Sequence, residues 1–482
     1  MNGRAAAAAG AAVVALLAGC TTTTTPVLGH RATPTAGVVA GPNSSFGPGA
    51  DGLGDPYYPK AGNGGYHVVN YDLDLRYDPA TGKLTGSERI TATATANLTQ
   101  FDLDLKALTV ESVTIDDVAA TAKSDGGKLV VTPAKNIAIG TRFVATIRYG
   151  GVPQSYQEDR HGEVGFLRTD DGAVAIGEPQ VAASWFPVND HPRDKATYAV
   201  KITAPDGLTA MSNGVLKGKQ SAAGWTTWSW QENSPMVPYL ATVVIGKFRV
   251  QQSTHAGKPV FLAVNSALDS QADAQLARTP EVVDFLESQF GPYPFDAMGG
   301  IVIADKRVRF AMENQTRPIY SGSFFDPGKD ATWSLVHELA HQWYGDSVSI
   351  NEWKDIWLNE GFATYAEWLW TEKSGGQSVQ KSFDSQYANF ESPMWAIPPG
   401  NPGKANLLSI SVYNRGAMTL HVLRLNVGDD AFFKILRTWA SEKANGNATT
   451  REFIALAERI SGKPLGQVFD EWLYGTVRPA HP

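Results

Sequence analysis

The chain has 482 residues, 43% of them hydrophobic, which is enough for two folded domains with sizeable cores. This composition excludes disorder along the whole length. The 41 basic and 48 acidic residues give a net charge of −7, and no dense run of Lys and Arg could follow a phosphate backbone. Nucleic acid is therefore not expected as a partner.

Residues 1–20, MNGRAAAAAGAAVVALLAGC, are typical of an export signal peptide. Arg4 precedes an Ala/Val/Leu stretch that is too short to be a stable membrane span. The closing LAGC resembles the bacterial lipobox, in which the signal is removed and the new amino-terminal cysteine is lipidated. We therefore predict an exported lipoprotein that Cys20 anchors to the extracytoplasmic side of a bacterial membrane. A secreted protein with a plain signal is the alternative.

Residues 21–55 are rich in Thr, Gly, Pro and Ser, and they contain too few large apolar residues to offset the entropy of ordering. We predict a flexible tether there. Residues 56–252 follow with a period of two: in YDLDLRY, at 71–77, apolar and charged side chains alternate as in a half-buried strand. Similar stretches recur between Gly, Pro and Asp-Gly turn signals, which predicts an N-terminal antiparallel β-sandwich domain.

From residue 253 to residue 482 the apolar residues are spaced by three and four, which predicts a mostly helical second domain. The spacing is clearest in PEVVDFLESQF, TWSLVHELAHQWYG, EGFATYAEWLW, YNRGAMTLHVLRL, TREFIALAERI and LGQVFDEWLYG. GGIVIADK interrupts these helices as a predicted strand. The predicted fold is α+β and multidomain, with the β-sandwich first.

The stretch VHELAHQWYG, at 336–345, contains the pattern His-Glu-x-x-His. On a helix this spacing puts His337 and His341 one turn apart on the same face, so both imidazoles can bind one zinc ion at about 2.0 Å. Glu338 then lies beside the metal and can take a proton from a coordinated water, whose pKa zinc lowers to about 7. Because the pattern is short enough to occur by chance, the prediction needs a third ligand.

Glu360 is the candidate for that third ligand. It begins the helical stretch EGFATYAEWLW, 19 positions after His341 (360 − 341). A carboxylate there completes a two-His, one-Glu set and leaves a fourth position open. The alternative is a first-turn glutamate that stabilises the helix dipole. Taken with the two histidines, Glu360 predicts one Zn²⁺ per chain.

The HELAH motif and NEG, at 359–361, together resemble the signature of the aminopeptidase N family of gluzincin metallopeptidases. Further motifs carry the resemblance over most of the chain after the tether: FAMEN (310–314), VYNRGA (412–417), FGPYPF, VFDEWLYG and EPQVAASWFPVNDHPRDKATY (178–198). The resemblance implies a thermolysin-like zinc metallopeptidase domain behind the sandwich. It also implies peptide substrates with a free N-terminus.

The resemblance assigns the chemistry of peptide hydrolysis to two side chains. Glu338 would be the general base and then the proton donor to the leaving amine. Tyr413 would donate a hydrogen bond to the developing oxyanion without carrying charge. The alternative for Tyr413 is a core aromatic residue at a helix start.

Substrate binding is assigned by the same resemblance to the segment around FAMEN. Glu313 would bind the α-amino group of the substrate, with Glu178 as its companion. The strand around Ala311 and Met312 would pair with the peptide backbone. For Glu178 a solvated loop glutamate is the alternative.

The sequence departs from the family pattern at several positions. Phe310 stands where Gly is usual, Arg415 where Lys is usual, Ile176 where a Gln often helps to bind the amine, and His191 in place of a Glu. The chain also ends soon after FDEWLYG, without the large helical carboxy-terminal domain common in the family. We therefore expect a more open site.

Two further histidines are predicted to be structural. His191 lies before a proline, near Asp190 and Asp194, and a hydrogen-bonded role is favoured over a second metal site. His421 follows Tyr413 on a predicted helix and is expected to be packed or solvated.

The predicted function is that of a membrane-tethered zinc aminopeptidase. A zinc endopeptidase on the same scaffold is the first alternative. A non-catalytic, peptide-binding surface lipoprotein is the second, although a protein that only binds peptides has no need of Glu338 as a base.

Overall fold

The computed structural model describes residues 45–158 and 162–482, and the described residues from Ser45 to Pro482 form one compact unit. The first half of this unit is built from strands. In chain order they are β1 (Gly47–Pro48), β2 (Tyr66–Asp78), β3 (Lys83–Ala94), β4 (Leu98–Asp104), β5 (Thr109–Ile115), β6 (Val118–Ala119), β7 (Thr121–Asp125), β8 (Lys128–Thr132), β9 (Arg142–Gly151), β10 (Ser155–Glu158), β11 (Gly162–Arg168), β12 (Ala173–Ile176), β13 (Ala196–Pro205), β14 (Thr209–Met211), β15 (Val215–Ala222), β16 (Trp225–Met236) and β17 (Val244–Gly246).

The second half of the chain combines short strands with helices. In chain order they are β18 (Phe248–His255), β19 (Lys258–Asn265), α1 (Gln271–Leu276), α2 (Thr279–Phe290), β20 (Met298–Ile303), β21 (Ala311–Met312), β22 (Ile319–Ser321), α3 (Thr332–Ala340), β23 (Val348–Ile350), α4 (Trp357–Lys373), α5 (Val379–Asn389), α6 (Ser392–Trp395), α7 (Gly416–Val427), α8 (Asp429–Glu442), β24 (Gly446–Ala448), α9 (Thr450–Ser461) and α10 (Gly466–Phe469). Turns of π-helix at Ser411–Arg415 and Asp470–Tyr474 precede α7 and follow α10.

The largest sheet has the strand order β15-β16-β13-β2-β3-β9-β5-β6. In β2 the apolar residues of YDLDLRY are buried and the charged ones are exposed, as their alternation predicts. Most neighbouring strands in this sheet are antiparallel, but β2 and β13 run parallel. A parallel pair needs a long connection, and more than a hundred residues of chain lie between these two strands.

A smaller sheet, with the order β1-β4-β8-β7, covers one face of the large sheet. The packing of the two is aromatic: the ring of Phe101, from β4, lies 5.5 Å from that of Tyr66 and 5.3 Å from that of Phe143, which belong to the large sheet. All three side chains are buried. This is the sandwich that the alternating pattern predicts.

A further sheet joins the strands and the helices of the second half, in the order β18-β19-β20-β22-β21. The strand Phe248–His255 crosses residue 252, and the first helix begins only at Gln271. Strands therefore continue for longer than the spacing of apolar residues predicts, and the boundary between 252 and 253 stays a prediction. At one edge of this sheet β21 pairs antiparallel with β22.

Two glycines bring α4 and α7 unusually close together. A Cβ added to Gly361 would lie 2.9 Å from the carbonyl carbon of Gly416, and one added to Gly416 would lie 3.0 Å from the Cα of Gly361. Only residues without a side chain allow backbones to approach this closely. The close approach fixes the start of α7 against the start of α4.

In the described ranges no helix combines the length and the apolar character that are needed to cross a bilayer. The predicted signal, including Cys20, and residues 21–44 of the predicted tether lie outside the described residues. Residues 45–55 of the tether are described, and they are packed against the fold: Gly47–Pro48 form β1, which pairs with β4, and Asp55 is fully buried. The prediction of a flexible tether is therefore wrong for these last residues, because their backbone and the Asp55 carboxylate find partners elsewhere in the chain.

Candidate metal centre and substrate cleft

The three predicted metal ligands lie together. His337 lies in α3, and His341 directly follows the last residue of that helix while keeping helical backbone angles (φ −59°, ψ −25°). Glu360 lies in the first turn of α4, which begins at Trp357, three residues earlier than predicted. The Oε2 atom of Glu360 is 3.3 Å from Nε2 of His337 and 3.6 Å from Nε2 of His341.

These distances fit one metal ion. Ligand atoms about 2.0–2.2 Å from a tetrahedral ion are about 3.4 Å from one another, and here one nitrogen from each histidine and one carboxylate oxygen lie within 4.8 Å of one another. All three residues are at least nine-tenths buried. Two imidazoles and one carboxylate are the ligands that zinc takes in catalytic sites, with the fourth position open.

The other ring nitrogen of each histidine is already bound. The Nδ1 atom of His337 is 2.6 Å from Oε1 of Glu367, and Nδ1 of His341 is 3.0 Å from the carbonyl oxygen of Tyr344. Since a carbonyl oxygen and a carboxylate accept hydrogen bonds, both Nδ1 atoms carry a proton and both Nε2 atoms face Glu360. In each ring Nε2 is therefore the atom that can bind a metal, and it gives up its proton when it does so.

Glu367 is a further candidate site residue, which is absent from the residues predicted above. Its signal is present, because Glu367 lies seven residues after Glu360 on α4 and seven residues are about two helical turns, which puts both carboxylates on one face. What the sequence does not give is that this face of α4 packs against α3.

In the buried site, the carboxylate of Glu360 and the neighbouring imidazoles stabilise each other's charged forms. Burial would raise the pKa of Glu360, but His341 and His337 outweigh it and lower this pKa to about 2. Burial would likewise lower the pKa of His341, which Glu360 and Glu313 instead raise to about 9. The site thus holds an ionised carboxylate in the protein interior, where a cation is the natural partner.

The predicted base and the predicted oxyanion donor lie on the walls of the same cavity. Burial raises the pKa of Glu338 to about 8, with the two neighbouring histidines acting in the opposite direction. Tyr413 lies in the π-helical turn before α7, and its ring stacks on that of His337 with centroids 5.9 Å apart and planes 19° apart. The close packing of α4 on α7 brings this phenol to the metal ligands.

The cavity has a volume of about 630 Å³, and every predicted substrate-binding residue lines it: Glu178, Ala311, Met312 and Glu313. Glu313 is buried, and its Oε1 accepts a hydrogen bond of 3.1 Å from the hydroxyl group of Tyr239. A carboxylate oxygen of Glu313 lies within 4.8 Å of an oxygen of Glu338 and a nitrogen of His341. The structure therefore brings together every predicted site residue that it describes.

The edge strand β21 carries Ala311 and Met312 into this cavity. Among the described strands β21 pairs only with β22, so its other edge can accept an extended peptide. Two hydrogen bonds from Gln342 hold the segment after β21. Nε2 of Gln342 donates to the carbonyl oxygen of Glu313 (3.0 Å), and Oε1 of Gln342 accepts from the backbone N–H of Thr316 (2.7 Å). Gln342, directly after His341, thus ties the segment after β21 to the end of α3.

The departures from the family pattern have different structural outcomes. Phe310 lines the cavity, as its place in the sequence predicts. Ile176 is buried in β12. Arg415 is buried and donates hydrogen bonds to four carbonyl oxygens, those of Trp395, Glu471, Trp472 and Gly475, so it holds the last π-helical turn against α7. Burial lowers the pKa of Arg415 to about 10.

Both histidines predicted to be structural have hydrogen-bonding partners. His191 is fully buried; its Nδ1 accepts from the backbone N–H of Arg193 (3.0 Å), which leaves the Nε2 proton for Asp55, 3.3 Å away. His421 lies between Tyr365 and Gln380. Within the described ranges, both groups of side chains spaced for a metal ion include His341, and neither of these histidines takes part in one.

This ligand set, on a helical domain that follows a β-sandwich, is the one that gluzincin metallopeptidases use. Similarity to known protein domains identifies the family within this class. Residues 67–240 match the Peptidase M1 N-terminal domain, and residues 274–472 match the Peptidase family M1 domain. The chain belongs to peptidase family M1.

Solved structures extend the likeness to both halves of the chain. An M1 zinc metallopeptidase from Deinococcus radiodurans is 26% identical, with a TM-score of 0.81 over 89% of this chain and 100% of that one. The same enzyme bound to a Tyr-Ser-Ala substrate gives a TM-score of 0.82, again at 26% identity, over 89% and 99% of the two chains. Zinc is the metal named for these relatives, and the ligands described above fit it.

The curated relatives are longer than this chain. Glutamyl aminopeptidase of Sus scrofa is 27% identical over 64% of this chain and 36% of its own length, and Aminopeptidase M1 of Arabidopsis thaliana is 28% identical over 62% and 36%. The match thus spans about a third of the length of these relatives.

Proposed function

We propose that the chain is a zinc-dependent aminopeptidase, which removes the amino-terminal residue from a peptide. The position of Glu313 carries the proposal, because its carboxylate lies within 4.8 Å of Glu338 and His341. One residue of an extended peptide spans about 3.4 Å. A substrate ammonium held at Glu313 therefore brings only the first peptide bond to the metal ligands. The names of the relatives, among them a glutamyl aminopeptidase, support the same activity.

Each step of the reaction has a side chain in place. Zinc held by His337, His341 and Glu360 would polarise the scissile carbonyl and make water a stronger nucleophile. Glu338 takes a proton from the attacking water while the water oxygen bonds to the carbonyl carbon. The hydroxyl group of Tyr413 donates a hydrogen bond to the resulting oxyanion. The carbon–nitrogen bond then breaks as Glu338 returns the proton to the leaving amine.

The amino group is the feature that separates this activity from endopeptidase activity. Glu313 and Glu178 both line the cavity and offer carboxylates to an ammonium, and a charge-assisted contact is lost when the amine is acylated. The burial of these carboxylates increases the penalty for a substrate that brings no charge.

The test is a pair of identical peptides, one with a free amine and one acetylated at that amine. We expect release of the first residue from the free peptide and a fall of at least a hundredfold in kcat/KM for the acetylated one, since a lost charged partner costs roughly 3 kcal/mol or more. Equal cleavage of both would favour a zinc endopeptidase. Full activity of a Glu338→Gln variant would contradict the mechanism, and binding without cleavage would favour a peptide-binding protein.

We also propose that the protein is exported and held at a membrane by lipid on Cys20. The support is the order of Arg4, an apolar stretch and LAGC at the start of the sequence. Acyl chains stabilise membrane binding by about 0.8 kcal/mol for each buried methylene. The test is fractionation of cells: Cys20→Ala should move the protein from the membrane to the soluble fraction, and a Thr23→Ala control should not. Unchanged membrane association of Cys20→Ala would contradict the anchor.

A further inference from the structure

Three apolar side chains form an exposed surface in the metal-containing cavity: Phe324, Trp333 and Ile410, which we call the apolar shelf. Trp333 and Ile410 are 50% and 46% exposed, although both are large and hydrophobic. The ring of Trp333 meets that of Phe324 edge to face, with centroids 5.3 Å apart. All three residues line the same cavity as the metal ligands. An indole stabilised on one side by an aromatic neighbour and open on the other offers apolar area for a ligand.

The shelf lies on the side of the metal site that is remote from Glu313. Along α3, Trp333 lies one turn before His337, which lies one turn before His341. A carboxylate oxygen of Glu313 lies within 4.8 Å of a ring nitrogen of His341, the last of these three residues along the helix. Side chains on a helix lean toward its amino terminus, so the indole of Trp333 covers surface beyond His337.

Ile410 places a second segment at the same end of the cavity. It comes directly before the π-helical turn that carries Tyr413, and the ring of Tyr413 stacks on His337 and not on His341. Two independent segments, the start of α3 and the segment before α7, therefore bring apolar side chains to the His337 side of the site.

We propose that the apolar shelf binds the side chain of the second residue of the substrate, so that the enzyme prefers peptides with a large apolar or aromatic residue there. The inference rests on the proposed function, which puts the substrate amine at Glu313 and the first peptide bond at the metal ligands. An extended chain that runs in this direction carries its second residue past His337 onto the shelf. This residue belongs to the leaving peptide.

The experiment compares two peptides, X-Phe-Ser and X-Ala-Ser, in which X is the first residue that the enzyme accepts best. We expect kcat/KM to favour the phenylalanine peptide about tenfold, which corresponds to burying roughly half of a benzyl group. In Trp333→Ala this ratio should fall to about two, and in Trp333→Phe it should stay above about five. Phe46→Ala, which removes an aromatic ring that is 44% exposed outside the cavity, should leave the ratio unchanged.

A binding measurement separates this inference from the proposed function. In the Glu338→Gln variant, the dissociation constants of the two peptides should differ by a similar factor, and Trp333→Ala in that background should remove the difference. Equal binding of the two peptides, or a difference that survives Trp333→Ala, would overturn the inference. Selective binding together with no hydrolysis by the wild-type enzyme would support the shelf and reject the aminopeptidase proposal.

Discussion

At the scale of single residues, the predicted metal ligands are oriented by groups outside the ligand set. Glu367 and the carbonyl oxygen of Tyr344 hold the protons on the two Nδ1 atoms, and so they orient His337 and His341. Of these two acceptors only Glu367 is a side chain, and it is ionisable. It therefore gives His337 more electron density than a neutral partner would.

Replacing Glu367 by Gln should weaken zinc binding by about 10- to 100-fold, because the amide can still accept the hydrogen bond but carries no charge. Competition with a chromogenic chelator measures the affinity directly. Glu372→Gln, on the same helix but outside the cavity lining, is the matched control and should bind zinc as the wild type does. Unchanged affinity in Glu367→Gln would show that orientation alone is enough.

The proposed role of Tyr413 as a hydrogen-bond donor depends on its hydroxyl group alone. Tyr413→Phe keeps the ring that stacks on His337 and removes only the hydroxyl group. We expect kcat to fall by about 10²- to 10³-fold while KM changes little, as for the loss of a donor that acts on the oxyanion. Steady-state kinetics on a free-amine peptide test this, with zinc content measured alongside. A change in KM alone would indicate a role in substrate binding.

At the scale of elements, the site is built where α4 meets α7. Gly361 directly follows the ligand Glu360, and Gly416 begins the helix that follows Tyr413. Their mutual approach leaves no room for a Cβ. The two glycines thus set the distance between a metal ligand and the phenol.

Gly361→Ala should force the two helices apart, since its Cβ would lie 2.9 Å from backbone that cannot rotate away. We expect a loss of about 1–3 kcal/mol in unfolding free energy and a fall in kcat/KM. Chemical denaturation and peptide kinetics give the two values. Gly466→Ala is the matched control, because beyond its own helix and chain neighbours no described residue lies within 4 Å of the Cβ added to this helical glycine. Full activity of Gly361→Ala would mean that the helix spacing is not critical.

The strand β3 contains a carboxyl group that costs stability. Glu88 is fully buried, and neither of its oxygens has a hydrogen-bond partner in the described part of the chain. Burial raises its pKa well above the ordinary value of 4.5. Because the folded-state pKa is the higher one, the folded protein binds this proton more tightly, and stability is lost as the pH rises above about 4.5 until the folded-state pKa is passed.

Glu88→Met should therefore stabilise the protein, and the gain should grow with pH by up to about 1.4 kcal/mol per unit above pH 4.5. Urea unfolding of both proteins between pH 5 and pH 8 gives the difference. Glu111→Met, at an exposed position of β5, should show little gain at any pH because its carboxylate is hydrated. A constant difference across this range would mean that Glu88 keeps its charge in the fold.

At the scale of the whole molecule, the ligands come from two helices that only folding brings together. A metal ion that binds these ligands only in the folded state stabilises the folded state by about 4 kcal/mol when the free ion concentration is a thousand times Kd. Chelation should thus lower Tm by several degrees, and added zinc should restore it. Differential scanning calorimetry tests this, and in the His337→Ala variant the chelator should have little further effect. An unchanged Tm in the wild type would mean that the ligands are held equally well without the metal.

Tertiary structure also fixes the sides of the cleft. The strand β21, which we propose binds the substrate backbone, lies at a sheet edge, and Gln342 joins the segment after it to the end of α3. The apolar shelf at the opposite end is supplied by Trp333 at the start of α3, Ile410 before α7, and Phe324 from the turn after β22. The direction that we propose for the substrate peptide follows from these positions.

The sequence by itself determines the parts of this protein that depend on local spacing. Alternation with a period of two predicts the strands of the sandwich, and spacings of three and four predict the helices, because these periods are properties of single elements. The pair His337 and His341 follows from one helical turn. Glu360 could be added because its stretch begins a second helix, and the family resemblance supplied Glu313 and Tyr413.

Only the tertiary structure decided how those elements meet. Four contacts join segments that are distant in sequence. They are the hydrogen bond of Glu367 with His337, the approach of Gly361 to Gly416, the hydrogen bonds of Arg415 to carbonyl oxygens near the end of the chain, and the parallel pairing of β2 with β13. The apolar shelf likewise needs α3 and the segment before α7 to face one cavity. Such contacts depend on which faces pack together, and the spacing of residues within one element does not specify its partner.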